Sequence, residues 1–552
     1  MFKKSILFLS YTLLSCAGVF AQINNGQIHG NFQMDAQYYN EDTLIGAPEV
    51  PEAMLMNGFG NVIYTNGGFS TGIRYETYLN RLQGFPDGYQ GSGITYKYAT
   101  YNAGDLEVTL GNYYEQFGSG LIFRSYEERN LGLDNAMEGV RLKYKIHDGV
   151  NAKLVYGRQR LFFDIGEGIV RGADIDIQLN ELFSKFKDKK TKLGFGIGAI
   201  SKYQKDNDPI YVLPENVTST SARFNLSRGN INITGEYAFK FNDPSTDNGF
   251  AYNNGQAFLL NATYSMRGFA LSGGIKSVDN FSFRSDRSQT LTNLFINYMP
   301  ALNKQHTYNL VATLYPYATQ PVGEFAYQGE LLYKIEKGSF LGGKYGTNLS
   351  LNYSVAMAPN NTKRADTDST RINYSNDILT PGKEVYYKDF NAEIKHKFSK
   401  RVKGAVSYYN LVYNNSVLLG VVESSDQFKV KDKLYTDIFV ADFSFKLKPK
   451  HTIRIEAQHL STNQHRENWA TGLIEYTISP HYFFALLDQY NYGNADSKQR
   501  IHYFTASMGY IKDSNRFSVS YGRQRAGIFC VGGVCRNVPA SNGVTLSITS
   551  SF

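Results

Sequence analysis

The stretch Ile231-Asn232-Ile233-Thr234-Gly235-Glu236-Tyr237-Ala238-Phe239-Lys240-Phe241 decides how the rest of the chain is read. Its odd positions are apolar or aromatic apart from Gly235, and its even positions carry Asn, Thr, Glu, Ala and Lys. A period of two is the signature of a strand, whose side chains point alternately to opposite faces. About ten residues is also the length a tilted strand needs to cross a bilayer.

The pattern returns along the chain. Phe325, Tyr327, Gly329, Leu331, Tyr333 and Ile335 alternate with Gln328, Glu330, Lys334 and Glu336. Phe390, Ala392, Ile394 and Phe398 alternate with Asp389, Glu393, Lys395 and Lys397. Ile453, Ile455 and Ala457 alternate with Arg454, Glu456 and Gln458. A single such segment fits a soluble sandwich equally well. Repetition over the whole chain, with no second domain type, points to a membrane barrel with one lipid face and one wet face.

The connections carry a second pattern, in which short turns and longer loops take turns. Asn66-Gly67-Gly68, Asn102 to Asp105, His147-Asp148-Gly149, Ser227 to Asn230, Phe398 to Arg401, Lys448-Pro449-Lys450, Ser479-Pro480-His481 and Lys512 to Asn515 are short. Longer connections fall near 40–57, 81–91, 116–138, 242–254, 358–383 and 414–430. Membrane barrels have short periplasmic turns and longer extracellular loops. The expected fold is all-β: one large, closed, antiparallel transmembrane β-barrel. Counting strands gives about 26, within a range of 22–26, and an even number returns both ends of the chain to one side. Residues 180–190 read as a short helix where a tight turn is expected, and 336–346 as loop or strand.

Composition agrees. The 552 residues include 42 Tyr, 37 Phe, 51 Gly and 14 Pro, with Trp469 alone of its kind, a bias toward strands and tight turns. The mean hydropathy is −0.36, so the chain is polar on average. Its net charge of +8 is interspersed and not gathered in blocks, which argues against a nucleic-acid surface. After the N-terminal segment no run of about 18 apolar residues exists to span a bilayer as a helix.

Residues 1–21 read as a cleaved signal peptide: Lys3 and Lys4, an apolar stretch from Ser5 to Gly18, then Val19-Phe20-Ala21 before Gln22. A rival reading takes Leu13-Leu14-Ser15-Cys16 as a lipobox with Cys16 as anchor. Residues 22–552 form the barrel. Its first strand, near Gln27 to Tyr39, leaves no room for an N-terminal plug domain. Cys530 and Cys535 remain after cleavage, and in an oxidising envelope such a close pair reads as a disulfide at a loop tip. A metal site is poorly served by two thiols without a nearby His. Val544, Leu546, Ile548, Ser550 and Phe552 share one face of a last strand that resembles the terminal strand read by the barrel-assembly machinery.

Three features resemble a family of large outer-membrane proteins of the Bacteroidota: the Gln22 start, Gly111-Asn112-Tyr113-Tyr114-Glu115-Gln116-Phe117-Gly118-Ser119-Gly120, and Leu131-Gly132-Leu133-Asp134-Asn135. The resemblance covers most of the mature chain. It implies a barrel and an outer-membrane address, and it transfers no functional residues.

Residues 116–138 are the most unusual connection. Leu121, Ile122, Phe123, Leu131, Leu133, Ala136 and Met137 make it apolar for an outside loop, while Arg124, Glu127, Glu128, Arg129 and Asp134 supply both signs of charge. One reading folds it into the lumen as a pore constriction. The other packs it over its neighbours outside, or makes it two extra short strands. The pentapeptide Tyr-Gly-Arg-Gln-Arg occurs at Tyr156–Arg160 and at Tyr521–Arg525. Arg158, Arg160, Arg523 and Arg525 are candidate outer-rim contacts to lipopolysaccharide phosphates. The plainer alternatives are ordinary interface anchors and weak internal duplication. Glu236, Lys240, Glu330, Lys334, Glu393, Lys395, Arg454 and Glu456 are candidate lumen-lining residues, with Asp174, Asp176, Arg223, Asp442 and Lys446. They either line water or pair as salt bridges.

No HExxH, metal spacing or GxSxG elbow is present, so neither an enzyme nor a cofactor is expected. Two functions remain: a porin-like channel for passive diffusion of small hydrophilic solutes, or a non-transporting subunit or scaffold of a larger outer-membrane complex. The expected partners are outer-membrane lipids and lipopolysaccharide, the assembly machinery at Phe552, and other proteins of such a complex. A barrel of over twenty strands cannot be filled by wall side chains alone, so something else occupies it.

Overall fold

The computed structural model describes residues 26–363, 372–418 and 433–552. The leader 1–21, Cys16 and Gln22 lie outside these residues, as do 364–371 of the 358–383 connection and 419–430 of the 414–430 connection. Among the described residues, 24 strands form one closed antiparallel sheet. The first strand, Gln27–Asn40, pairs with Met54–Asn66 on one side and with the last strand, Ser541–Ser551, on the other. The closing register runs from Asn31 opposite Ser551 to Asn40 opposite Asn542.

The count falls two short of the 26 obtained by counting alternating segments. Residues 280–322 add no strand to the wall. They have the length for a further pair of strands, yet the wall passes over them: Phe269–Asp279 pairs directly with Gly323–Ile335, with Asp279 opposite Gly323. In the same way Leu106–Tyr113 pairs with Met137–His147 across residues 114–136, and Asn515–Gln524 with Ser541–Ser551 across 525–540.

All but one of the tight turns of the wall lie at one end of the barrel, taken as periplasmic because short turns gather there in membrane barrels; the exception is Phe162-Phe163, between the paired Leu161 and Asp164 at the outer end. Gly67 and Gly268 turn two of them at φ +57° and +80°, a conformation that side chains resist. Two connections at this end are longer. One holds the helical turns Leu179–Leu182 and Ser184–Phe186, and residues 336–346 form a loop and not a strand. At the outer end, the flanks of the 358–383 connection prolong the strands Thr347–Lys363 and Tyr374–Lys397. No helix among the described residues is long and apolar enough to cross a membrane. Strands cross it, with every wall amide able to pair with a neighbour.

Alternation sorts the side chains. Ile94, Leu110, Ile197, Val406, Ile474 and Leu486 point outward and are exposed, as a lipid-facing belt requires. Outward aromatic residues flank the belt at both ends. Tyr101, Tyr144, Phe398 and Tyr482 sit near the tight turns, and Tyr38, Tyr156, Tyr435 and Tyr521 toward the other end. This is the girdle arrangement of membrane barrels. The inward face behaves differently. Near the outer end of the wall it is buried on strand after strand, for example at Tyr39, Phe59, Glu76, Lys202, Lys240, Glu324, Asp389, Ile438 and Trp469. Something therefore packs against the wall from within.

Candidate functional site

Three connections supply that packing, and they enter from the outer end. The first is residues 114–136. Glu115–Phe117 pairs with Phe123–Ser125, and Glu127–Glu128 with Leu133–Asp134, as two miniature hairpins. Phe117, Leu121, Ile122 and Phe123 are fully buried beside inward wall residues such as Val170, Val217 and Ala238. At the tip, Ser119 donates its amide and its hydroxyl to the Glu236 carboxylate at 2.8 and 2.7 Å. Gly118 is needed there: a Cβ would lie 2.7 Å from Glu236 Oε2, and φ is +52°.

The second connection is residues 280–322, which crosses the lumen. Lys240 Nζ donates to the Ser282 carbonyl at 2.6 Å, and Lys276 Nζ to that of Pro300 at 2.5 Å. On the far wall, His306 Nε2 meets Asp389 Oδ2 at 2.7 Å, and the Leu310 amide donates to Gln458 Oε1 at 2.9 Å. Leu310, Val311, Tyr315 and Tyr317 form a core there with Tyr387, Tyr413, Leu460 and Trp469. Two backbone bonds join this segment to the first one, Arg124 N to Ile296 O at 2.8 Å and Tyr298 N to Gly120 O at 3.0 Å.

The third connection is the hairpin Gly527–Val531 and Val534–Val538, closed by the Cys530–Cys535 disulfide. Its tip sits on the second segment. Tyr298 Oη donates to the Gly532 carbonyl at 2.9 Å, and the Thr319 amide to that of Gly533 at 3.0 Å. Arg536 Nε reaches back to the Asn130 carbonyl of the first connection at 2.7 Å. The three segments thus form one bonded layer across the outer part of the lumen.

Below this layer the interior opens. A recess of about 310 Å³ lies under Ser119, walled by Asp176, Arg223, Thr234, Glu236 and Asn261. Another of about 570 Å³ lies beside Lys304, walled by Lys334, Ser350, Glu393 and Lys395. Lys334 and Lys395 are exposed there, where hydration would remove any burial penalty, while Glu236 and Ser350 are buried.

A family model described as a family of unknown function, DUF6029, matches residues 2–552. The chain belongs to DUF6029. No curated protein matches its sequence. Among solved structures, the siderophore receptor PirA of Pseudomonas aeruginosa gives a TM-score of 0.39 at 9% identity, over 95% of this chain and 80% of that one. A mutant of the ferric enterobactin receptor PfeA from the same organism gives 0.41 at 10% identity, over 95% and 80%. Its outer membrane protein opdK gives 0.35 at 10%, over 82% of this chain and 98% of that one. The architecture of the DUF6029 barrel rests on its own strand register.

Within that barrel, the charges of residues 116–138 are engaged. Asp134 is gripped by Arg74 and Arg160, the latter at 2.5 Å, and Glu76 binds the same two arginines at 2.7 Å each. Glu127 bridges Arg74 at 2.9 Å and Arg129 at 2.7 Å. Arg124 is sandwiched between the rings of Tyr126 and Tyr298, at 4.3 and 4.1 Å. Glu128 caps the Asn130 amide at 3.3 Å. The connection lies inside the barrel, and its charges face one another and the wall. Glu76, Glu127 and Asp134 bring carboxylate oxygens within 4.8 Å, a spacing that could suit a metal. Arg74 and Arg160 already occupy that space.

The lumen candidates all lie on the inward face and divide in two. Glu236 and Lys240 hold the internal layer. Lower down, Glu330 pairs with Lys304 at 3.0 Å, Glu393 with Lys395 at 2.7 Å, and Arg454 with Asp442 at 3.1 Å and with Glu456, while Lys334 is exposed.

The arginine pentapeptides need correction. Arg158 is exposed on the outward face, and Arg523 is tied to Asp42 at 2.7 Å. Arg160 and Arg525 are buried inside, only 4% and 7% exposed, and touch no lipid. A bulge between Arg158 and Arg160 shifts the register and breaks the period of two. Arg525 follows the end of its strand, where the chain has already turned inward. Residues 280–322 were missed as an internal segment. The signal that could have found them is apolar density without alternation, in Leu294, Ile296, Met299, Leu302, Leu310 and Val311.

Proposed function

We propose that the chain is a constricted outer-membrane channel for passive diffusion of small hydrophilic solutes, narrowed by its own connections. One observation carries this reading: a charged, water-accessible vestibule ends against a packed layer built from loops and not from wall. Wide barrels get their selectivity from whatever narrows them. Here Ser119, Arg124 and the residues around Asp134 stand where solute would pass. The address proposed with it is the outer membrane of a Bacteroidota cell, reached through the leader 1–21. Lipopolysaccharide would surround the barrel, and the assembly machinery would read the strand ending at Phe552.

The tightness of the outer layer favours a second reading, a closed barrel serving as a subunit of a larger complex. The two part in a planar bilayer. The folded, purified chain should pass a small, steady current, well below that of an open barrel of this strand number. A sealed membrane, with proteoliposomes that exclude sugars and small ions alike, would retire the channel and leave the scaffold.

A further inference from the structure

A cavity of about 370 Å³ lies where the first and last wall strands face the internal layer. That volume is within the range of small-molecule sites. Gln37, Gln489 and Gln524 line its wall side, and Asn130, Thr313 and Phe529 its inner side. Arg525 and Arg536 both line it as well.

These two arginines differ from most cations of the interior, although Lys240 on the Ser282 carbonyl and Arg124 between two tyrosine rings also hold no acid among the described residues. Arg74, Arg160, Lys202, Arg223 and Lys276 each hold a carboxylate in an ion pair. Arg525 and Arg536 hold none among the described residues. Arg525 donates to Gln489 Oε1 at 3.3 Å, to the Ala526 carbonyl at 3.1 Å and to the Thr313 hydroxyl, all neutral acceptors. Arg536 gives Nε to a carbonyl, and its buried Nη1 has no partner among the described residues. Asp35, the acidic residue of the lining, is instead bonded by Gln33 at 3.0 Å. Burial lowers both guanidiniums to about 10, with Arg466 adding to the effect at Arg525, so both stay charged at neutral pH. Buried guanidinium is normally matched by a planar anion that takes two of its donors at once.

We infer that this cavity binds a small organic anion, a carboxylate or a phosphate, between Arg525 and Arg536, with the amide side chains taking its hydroxyl groups. In transport this would make the anion the solute of the channel proposed above and rests on that reading. Binding itself does not.

The chain carries its own probe. Trp469 is its single tryptophan, fully buried, with the Arg525 guanidinium 5.7 Å from the ring centre. Intrinsic fluorescence of the full chain in detergent should change saturably on adding inorganic phosphate or gluconate. It should not change with glucose, or with choline chloride at matched ionic strength. The tighter of the two anions tells phosphate recognition from carboxylate recognition. Arg536→Gln, which leaves the Trp469 contact intact, should weaken binding about tenfold, the scale of one charge-assisted contact. Equal responses to all four solutes, or an anion response unchanged by Arg536→Gln, would overturn the site. An anion response in a barrel that does not conduct keeps the site and removes the channel. Conduction without an anion response does the reverse.

Discussion

The outer and inner parts of this lumen share one wall and one alternation of side chains, yet they are different materials. In the outer part, inward residues meet Leu310, Val311, Phe281 and Phe283, and most charges there are matched at close range, as where Lys276 meets Glu324 at 2.6 Å, Arg525 and Arg536 being exceptions. In the inner part the same inward positions face water, and Lys395 is 58% exposed. A wall of 24 strands is too wide to fill itself. What a stretch of the interior becomes is decided by the connection folded against it. The wall supplies a container, and its contents come from the loops.

Removing the connection should therefore turn one material into the other. Asp279 and Gly323 are already opposite one another, so a two-residue turn can replace residues 280–322 without disturbing the wall register. The expected outcome is a rise in single-channel conductance of at least about tenfold, as the lumen opens to its full width. A heat-modifiable gel shift confirms that the barrel persists. An unchanged current would mean that the outer layer is not the constriction.

Breaking a charge within the outer layer comes next in size. Asp134→Ala leaves Arg74 and Arg160 buried with one acid fewer, and loss of one partner from a buried pair costs about 3–5 kcal/mol. The urea midpoint reads it. Replacing both cysteines with serine removes a short closed loop and should cost about 2 kcal/mol or less. The loss should be confined to faster amide exchange in residues 527–538. Arg454→Ala, in the wet inner part, should change stability by less than about 1 kcal/mol, because exposed ion pairs contribute little. Its effect should instead appear as a shift in reversal potential under a salt gradient. If Asp134→Ala and Arg454→Ala cost the same, the contrast between the two parts fails.

The wall was legible because a period of two is local: Ile231 to Phe241 announces a strand without knowledge of its neighbours. The tight turns were legible for the same reason. The excess apolar content of residues 116–138 marked the connection as unusual but left open whether it folds inward, packs outside or adds short strands; it forms two short hairpins inside the barrel. The contents of the lumen were less readable. Residues 280–322 hold one short helix, Asn309–Leu314, and otherwise follow the shape of a cavity that exists only once the wall has closed. Arg160 was misplaced by a bulge that no period reveals, and Arg525 by a strand that ends one residue before it. The site at Arg525 and Arg536 joins residues from the first strand to the last, so nothing in a local window marks it.

The seam between Gln27–Asn40 and Ser541–Ser551 has a consequence for how the molecule comes into being. Its two strands lie at opposite ends of the chain, so their pairing has very high contact order and is slow to find. Until it forms, both are bare edges that invite pairing with any other strand nearby. The internal layer reaches this seam as well, because Arg525 beside it bonds Thr313 within the layer. Assembly therefore has to bring two distant strands and the internal layer to one place.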